Sequence, residues 1–139
     1  MKPAESPSAP AAAAARTVQP AGLAAPGGHY SHAAIGAGLV FVAGQLPIAP
    51  DGRKLGDQPF ETQARQVLAN LQAALEGAGS GREQLLQVRV YLTDIAHWPA
   101  FNALYAQWLG SHRPARAVVP VPALHFGLLL EVEAVALAG

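Results

Sequence analysis

The sequence predicts an α+β domain in which two helices lie over one face of a mixed β-sheet. Hydrophobic periodicity, read in order, gives strand, strand, helix, strand, helix, strand, strand. A chain of 139 residues has room for one domain with a real core and no more. Two helices cover only one sheet face, so the other is left for a second copy of the chain. Composition agrees: 51% of residues are hydrophobic and only 13% charged, which leaves little charged surface to spare.

Residues 1–25 read as a disordered Ala/Pro-rich tail and residues 26–139 as a single domain. The alanines of 11–15 are too weakly apolar for a signal peptide, and a helix that short is marginal in water. The tail therefore reads as belonging to a cytoplasmic protein.

The elements follow in order. His29 to Ile35 is an extended lead-in or short strand, turned by Gly36-Ala37-Gly38. Leu39 to Ala43 is a continuous apolar run, read as a strand buried on both faces and ended at Gly44. Asp51-Gly52 is a turn. Asp57 is placed to cap the first helix and Pro59 suits its first turn. Phe60, Ala64, Val67, Leu68, Leu71 and Leu75 then fall at helical spacing up to Gly77.

Leu86, Val88, Val90 and Leu92 alternate with polar residues, the period of a strand with one buried face. Thr93-Asp94 starts the second helix, whose stripe is Phe101, Leu104, Tyr105 and Trp108, and Gly110 stops it. The next strand contains Pro120 and Pro122. Both lack the N–H on the same side, so that side lies at an edge or against another surface. His125-Phe126-Gly127 turns into the closing strand, Leu128 to Leu137.

Several function classes are excluded or disfavoured. There is no cysteine, so thiolate nucleophiles, disulfides and cysteine metal sites are absent. Net charge is zero without a basic run, which argues against nucleic acid as a partner and against RNA cleavage. No apolar run has membrane-spanning length. His29 and His32 are three apart in an extended segment and point to opposite faces, which is poor ligand geometry, so no metal site is expected.

The remaining chemistry gathers in the last quarter. Arg116 lies in one apolar strand, and Glu131 and Glu133 in the next. A charge in apolar surroundings is costly unless paired or employed. Arg116 offers a planar fork for a carboxylate, and Glu131 can hold a water or exchange a proton. Either the two pair across adjacent strands and do nothing more, or they form a site for a small carboxylate-bearing molecule.

Five segments in order resemble the Rid (YjgF/YER057c/UK114) family of reactive-imine deaminases. They are Gly28-His29-Tyr30-Ser31-His32-Ala33, Gly44-Gln45-Leu46-Pro47, Phe101-Asn102-Ala103-Leu104-Tyr105, Pro114-Ala115-Arg116 and Glu131-Val132-Glu133-Ala134. The resemblance spans residues 26–137. It implies a chorismate-mutase-like fold and a homotrimer with sites in the clefts between subunits. It also implies hydrolysis of 2-imino acids or their enamines to 2-keto acids and ammonia, with no cofactor.

By position, the resemblance makes Arg116 the carboxylate clamp and Glu131 the residue that positions water. It places Tyr30 at the cleft wall, Asn102 on the helix near the site, Gly44 as a backbone contact and Val118 where main-chain atoms meet the ligand. Glu133 reads as a structural partner for an arginine. The chain departs from the common family pattern at His29, His32, Val118, Pro120, Pro122 and the His125-Phe126-Gly127 loop. Those departures touch substrate range more than reaction, and they point to a bulkier or more apolar substrate.

Overall fold

The computed structural model describes residues 14–139. Six strands form one sheet: β1 (Arg16–Val18), β2 (Ala33–Gly36), β3 (Leu39–Gln45), β4 (Leu85–Leu92), β5 (Ala115–Pro120) and β6 (Leu130–Leu137). Their spatial order is β1-β2-β3-β6-β4-β5. All neighbours are antiparallel except β4 and β5, which run parallel and are joined through a helix. That order leaves β5 as a border strand.

Helices α1 (Phe60–Gly77) and α2 (Trp98–Leu109) cover one face of this sheet. From α1 come Ala64, Val67, Leu68, Leu71 and Leu75, packed on Val40, Val42, Val88, Val90, Val132, Ala134 and Ala136. The helical and strand periods therefore meet in one core, as their spacing required. Leu71 is fully buried, so truncating it to alanine would cost about 2–5 kcal/mol. Gly110, at φ 69°, takes the left-handed turn that ends α2. No helix among the described residues is long and apolar enough to cross a membrane.

Several expectations are corrected. Arg16–Val18 pairs with β2, and Leu23 is buried in the core, so ordered structure begins well before residue 26. The remainder of the expected tail, residues 1–13, lies outside the described residues. The expected strand at 39–43 buries Val40 and Val42 on one face only, and Phe41 stays exposed on the other. Leu86 is exposed because a bulge opposite Ala136–Val135 gives β4 an extra residue and sets Leu85 into the core instead. Asp57 does not cap α1; no side chain does.

Buried polar side chains, invisible to hydrophobic pattern, hold the loops. Gln63 accepts from the N–H of Leu129 at 3.0 Å. Asn70 donates to the carbonyls of Leu46 and Ile48 at 3.0 and 2.9 Å. His32 contacts the Ala24 carbonyl through Nε2 at 2.7 Å and Gln45 through Nδ1 at 3.2 Å. These contacts tie the residues before β2 and after β3 to the core.

Among the described residues, the other sheet face carries no element. Phe41, Val119 and Leu137 are exposed there, beside the Arg89–Glu133 ion pair. Its N–H edge is open as well. Val121 donates to the Leu92 carbonyl at 2.9 Å, so Ala117 and Val119 also face β4. Arg116 and Val118 then turn their main-chain groups to the free edge, where Pro120 and Pro122 have no N–H.

Candidate functional site

Cross-strand partners share a sheet face, which fixes where each candidate side chain stands. Arg116 is opposite Val88, and Val88 is opposite Ala134, both buried beneath the helices. Glu131 is opposite Tyr91, and Tyr91 is opposite Val119, all on the uncovered face. Arg116 and Glu131 therefore lie on opposite faces, with β4 between their strands. They do not pair within one chain, so the reading of a simple ion pair across adjacent strands fails.

The first group forms around Arg116 at the rim of α2. Its Nη1 donates to Oδ1 of Asn102 at 2.9 Å. The guanidinium carbon stands 5.0 Å from the Tyr105 ring centroid and 6.0 Å from that of Trp98. Asn102 and Tyr105 are three apart on the helix, so one helical face presents both to the arginine. Tyr105 is buried, and its hydroxyl has no hydrogen-bond partner among the described residues. Burial pushes its pKa up to about 12, against the opposing pull of Arg116. Arg116 thus has one nitrogen held and its fork facing a cleft that Asn102, Tyr105, His112 and Arg113 also line.

The second group forms around Glu131 on the open face. β3 bulges between Val42 and Gln45, opposite Ala134 and Val132 of β6, and Gly44 lies in the bulge. A β-carbon there would meet the Glu131 carboxylate, so glycine is needed for close approach. Burial raises the Glu131 carboxyl above its ordinary value; His125 opposes that and Glu133 adds to it. Glu133 is itself engaged by Arg89 at 3.0 Å and by the Tyr91 hydroxyl at 3.3 Å, which agrees with a structural part for it. Tyr30 and Gly44 line one cleft together with Lys54 and Phe126.

The candidates thus sort into two groups, Arg116 with Asn102 and Glu131 with Gly44 and Tyr30. Val118 is half-buried on the Arg116 face, opposite Val90. In sequence Tyr105 reads as part of the α2 core stripe, and Trp98 carries no reading at all. The signal for Tyr105 was its spacing from Asn102 on one helix face. Among the described residues no cluster of three or more His, Asp or Glu side chains could hold a metal ion.

Comparison with known proteins is decisive for kinship. A sequence model of the family described as Endoribonuclease L-PSP matches residues 22–138. A RutC family protein of Pyrococcus horikoshii is 39% identical over 111 residues, covering 80% of this chain and 88% of that protein. The crystal structure of YyfA, a protein of the conserved Rid family from Yersinia pestis, superposes with a TM-score of 0.86. It shares 33% identity and covers 90% of this chain and 100% of its own. The chain belongs to the Rid family. Escherichia coli TdcF, a further similar structure, was crystallised with bound serine. That structure superposes with a TM-score of 0.83 at 26% identity, over 89% of this Rid-family chain and 99% of TdcF.

Proposed function

We propose that this Rid-family protein hydrolyses reactive 2-imino acids, in equilibrium with their enamines, to 2-keto acids and ammonia. The observation that carries the reading is the division of the site: a cation with a free fork on one sheet face and a half-buried carboxylate on the other. Neither half is sufficient alone. A second copy whose open face meets the β5 edge would bring its Glu131, Gly44 and Tyr30 toward Arg116 and Asn102, and a homotrimer closes such a contact on itself.

The chemistry asks little of the protein. An imine carbon is already electrophilic, so the carboxylate must be held, a water aimed and a proton moved. Arg116 would grip the substrate carboxylate bidentately, steadied by Asn102. Glu131 would accept a proton as the water oxygen bonds to the imine carbon and the C=N pair moves onto nitrogen. Returning that proton to nitrogen gives the carbinolamine. Its hydroxyl proton then passes through Glu131 to nitrogen as the C=O bond forms and the C–N bond breaks, releasing ammonia and leaving the keto acid. The free N–H groups of Arg116 and Val118 on the β5 edge are suited to oxygens of the same ligand. No step requires a cofactor.

The serine in TdcF is an amino acid with the same carboxylate, and it favours a small α-substituted carboxylate as ligand here. The same cleft could hold such a ligand without turnover, as a regulatory module. The test is ammonia and keto-acid release from 2-iminopropanoate and 2-iminobutanoate made in situ, with wild type and Arg116→Lys. Wild type should accelerate release and Arg116→Lys should lose most of it, because lysine keeps charge but not the fork. Saturable binding of a keto acid without release would sink the deaminase reading in favour of the module. Cleavage of RNA by wild type, lost as salt rises, would favour the activity in the family's description instead.

A further inference from the structure

We infer that Phe126 forms the side-chain wall of the Tyr30–Gly44 cleft and selects imino acids that carry large aliphatic or aromatic side chains. The inference rests on the deaminase reading above and names its substrate class.

Phe126 is 60% exposed, and its backbone sits at φ 61°, ψ 22°. A phenylalanine in the left-handed region is an outlier, and such a conformation persists only where the surroundings enforce it. Here they do. Leu128, fully buried, anchors the chain after the turn and donates its N–H to the His125 carbonyl at 3.1 Å. The Phe126 carbonyl faces Gly56, where an added β-carbon would stand 3.4 Å away, in contact with it. Lys54 Nζ lies 4.4 Å from the ring centroid. The ring is therefore held out at the cleft rather than folded onto the core.

The chemistry of the cleft says what the ring would meet. Leu23, Leu46 and Ile48 line it beside Tyr30, Gly44 and Phe126. Its buried polar side chains are already engaged: His32 with Ala24 and Gln45, and Asn70 with the Leu46 and Ile48 carbonyls. The ammonium of Lys54 faces the ring. What remains is mostly apolar surface with an aromatic edge, bordered by the Lys54 ammonium and Tyr30, next to the glycine that cradles Glu131. An apolar substrate side chain fits that surface, while the carboxylate end belongs to Arg116.

The experiment compares kcat/KM for imines generated by an amino-acid oxidase from alanine, leucine and phenylalanine, using the full chain. Phe126→Gly removes the ring and relieves the left-handed backbone, so it should fold at least as stably as wild type. Wild type should prefer the leucine- and phenylalanine-derived imines by roughly tenfold or more. Phe126→Gly should erase that preference by lowering kcat/KM for the leucine- and phenylalanine-derived imines several-fold more than for the alanine-derived one, and Phe126→Tyr should keep it. Acceleration of all three imines without preference, or an equal loss on all three in Phe126→Gly, overturns the inference while leaving the deaminase reading standing. So does a change of oligomeric mass in Phe126→Gly, which would make the ring an inter-subunit contact. No acceleration of any imine by wild type sinks the deaminase reading, and this inference with it.

Discussion

A β-carbon built on Gly44 would stand 2.5 Å from Oε2 of Glu131 and 2.9 Å from its Cδ. The bulge in β3 lets the carboxylate rest against bare backbone. Gly44→Ala must push that carboxylate aside, and a displacement of about 1 Å at a reacting group can cost on the order of a hundredfold in rate. The expected outcome is a large loss of imine hydrolysis with a folded protein. In a Glu131→Ala background the same glycine substitution should cost little more, since residues acting as one unit are not additive. Additive losses in that cycle would show that Gly44 serves the site by another route.

The state of Glu131 makes a pH prediction. Its carboxyl is raised, first by burial, with His125 lowering it and Glu133 raising it. If the carboxylate is the base, activity should rise with pH along an acid limb whose midpoint lies above the ordinary glutamate value. His125→Ala removes the opposing influence and should move that limb to higher pH. Glu131→Gln should abolish the limb. The stability sign follows from the same shift. A carboxyl raised in the folded state lends stability that is fully present below its unfolded pKa and is lost as pH rises through the folded one. Glu131→Gln should therefore gain relative to wild type as pH goes from 4 to 7 in denaturant titrations. A constant difference across that range would mean the group is not raised.

Arg116 is positioned by two groups of different character, and they can be separated. Asn102 supplies a hydrogen bond and Tyr105 a ring face. Asn102→Ala should raise KM for imino acids by roughly tenfold with a smaller effect on kcat, because the carboxylate grip is loosened before the chemistry. Tyr105→Phe keeps the ring and deletes a buried hydroxyl that has no partner among the described residues, so stability should hold or rise by up to about 1 kcal/mol. Tyr105→Leu should raise KM as Asn102→Ala does. A Tyr105→Phe variant with the same defect as Tyr105→Leu would assign the work to the hydroxyl instead.

Much of this was legible in the sequence, for a physical reason. The α1 face, the succession β4, α2, β5 and the one-sided ladder of β5 follow from hydrophobic period and from two prolines that cannot donate. What period could not show was anything set by an extra residue. Leu86 and Gly44 both sit at bulges, where alternation slips by one. The strand Arg16–Val18 was hidden because three residues carry no periodic signal, and pairing with β2 alone holds them. At the site, Arg116 and Glu131 look like neighbours in sequence logic. They are parted because β4 inserts between the two strands, an order that no local pattern records.

The uncovered sheet face gives the last prediction. Phe41 is 49% exposed and stands opposite Ala34 and Val135, on the side where Glu131 also points. An exposed aromatic on a face that also bears Val119 and Leu137 is suited to burial against another copy. Because Phe41 contributes nothing to the core beneath the helices, Phe41→Asp should leave the fold intact by circular dichroism. It should nevertheless put an unpaired charge into the contact and convert the expected trimer into monomer, measured as mass in solution by light scattering. If Arg116 and Glu131 act together only across that contact, imine hydrolysis should disappear with the oligomer and return in neither single subunit. A trimeric, active Phe41→Asp would place the contact elsewhere, and the two halves of the site would then need another way to meet.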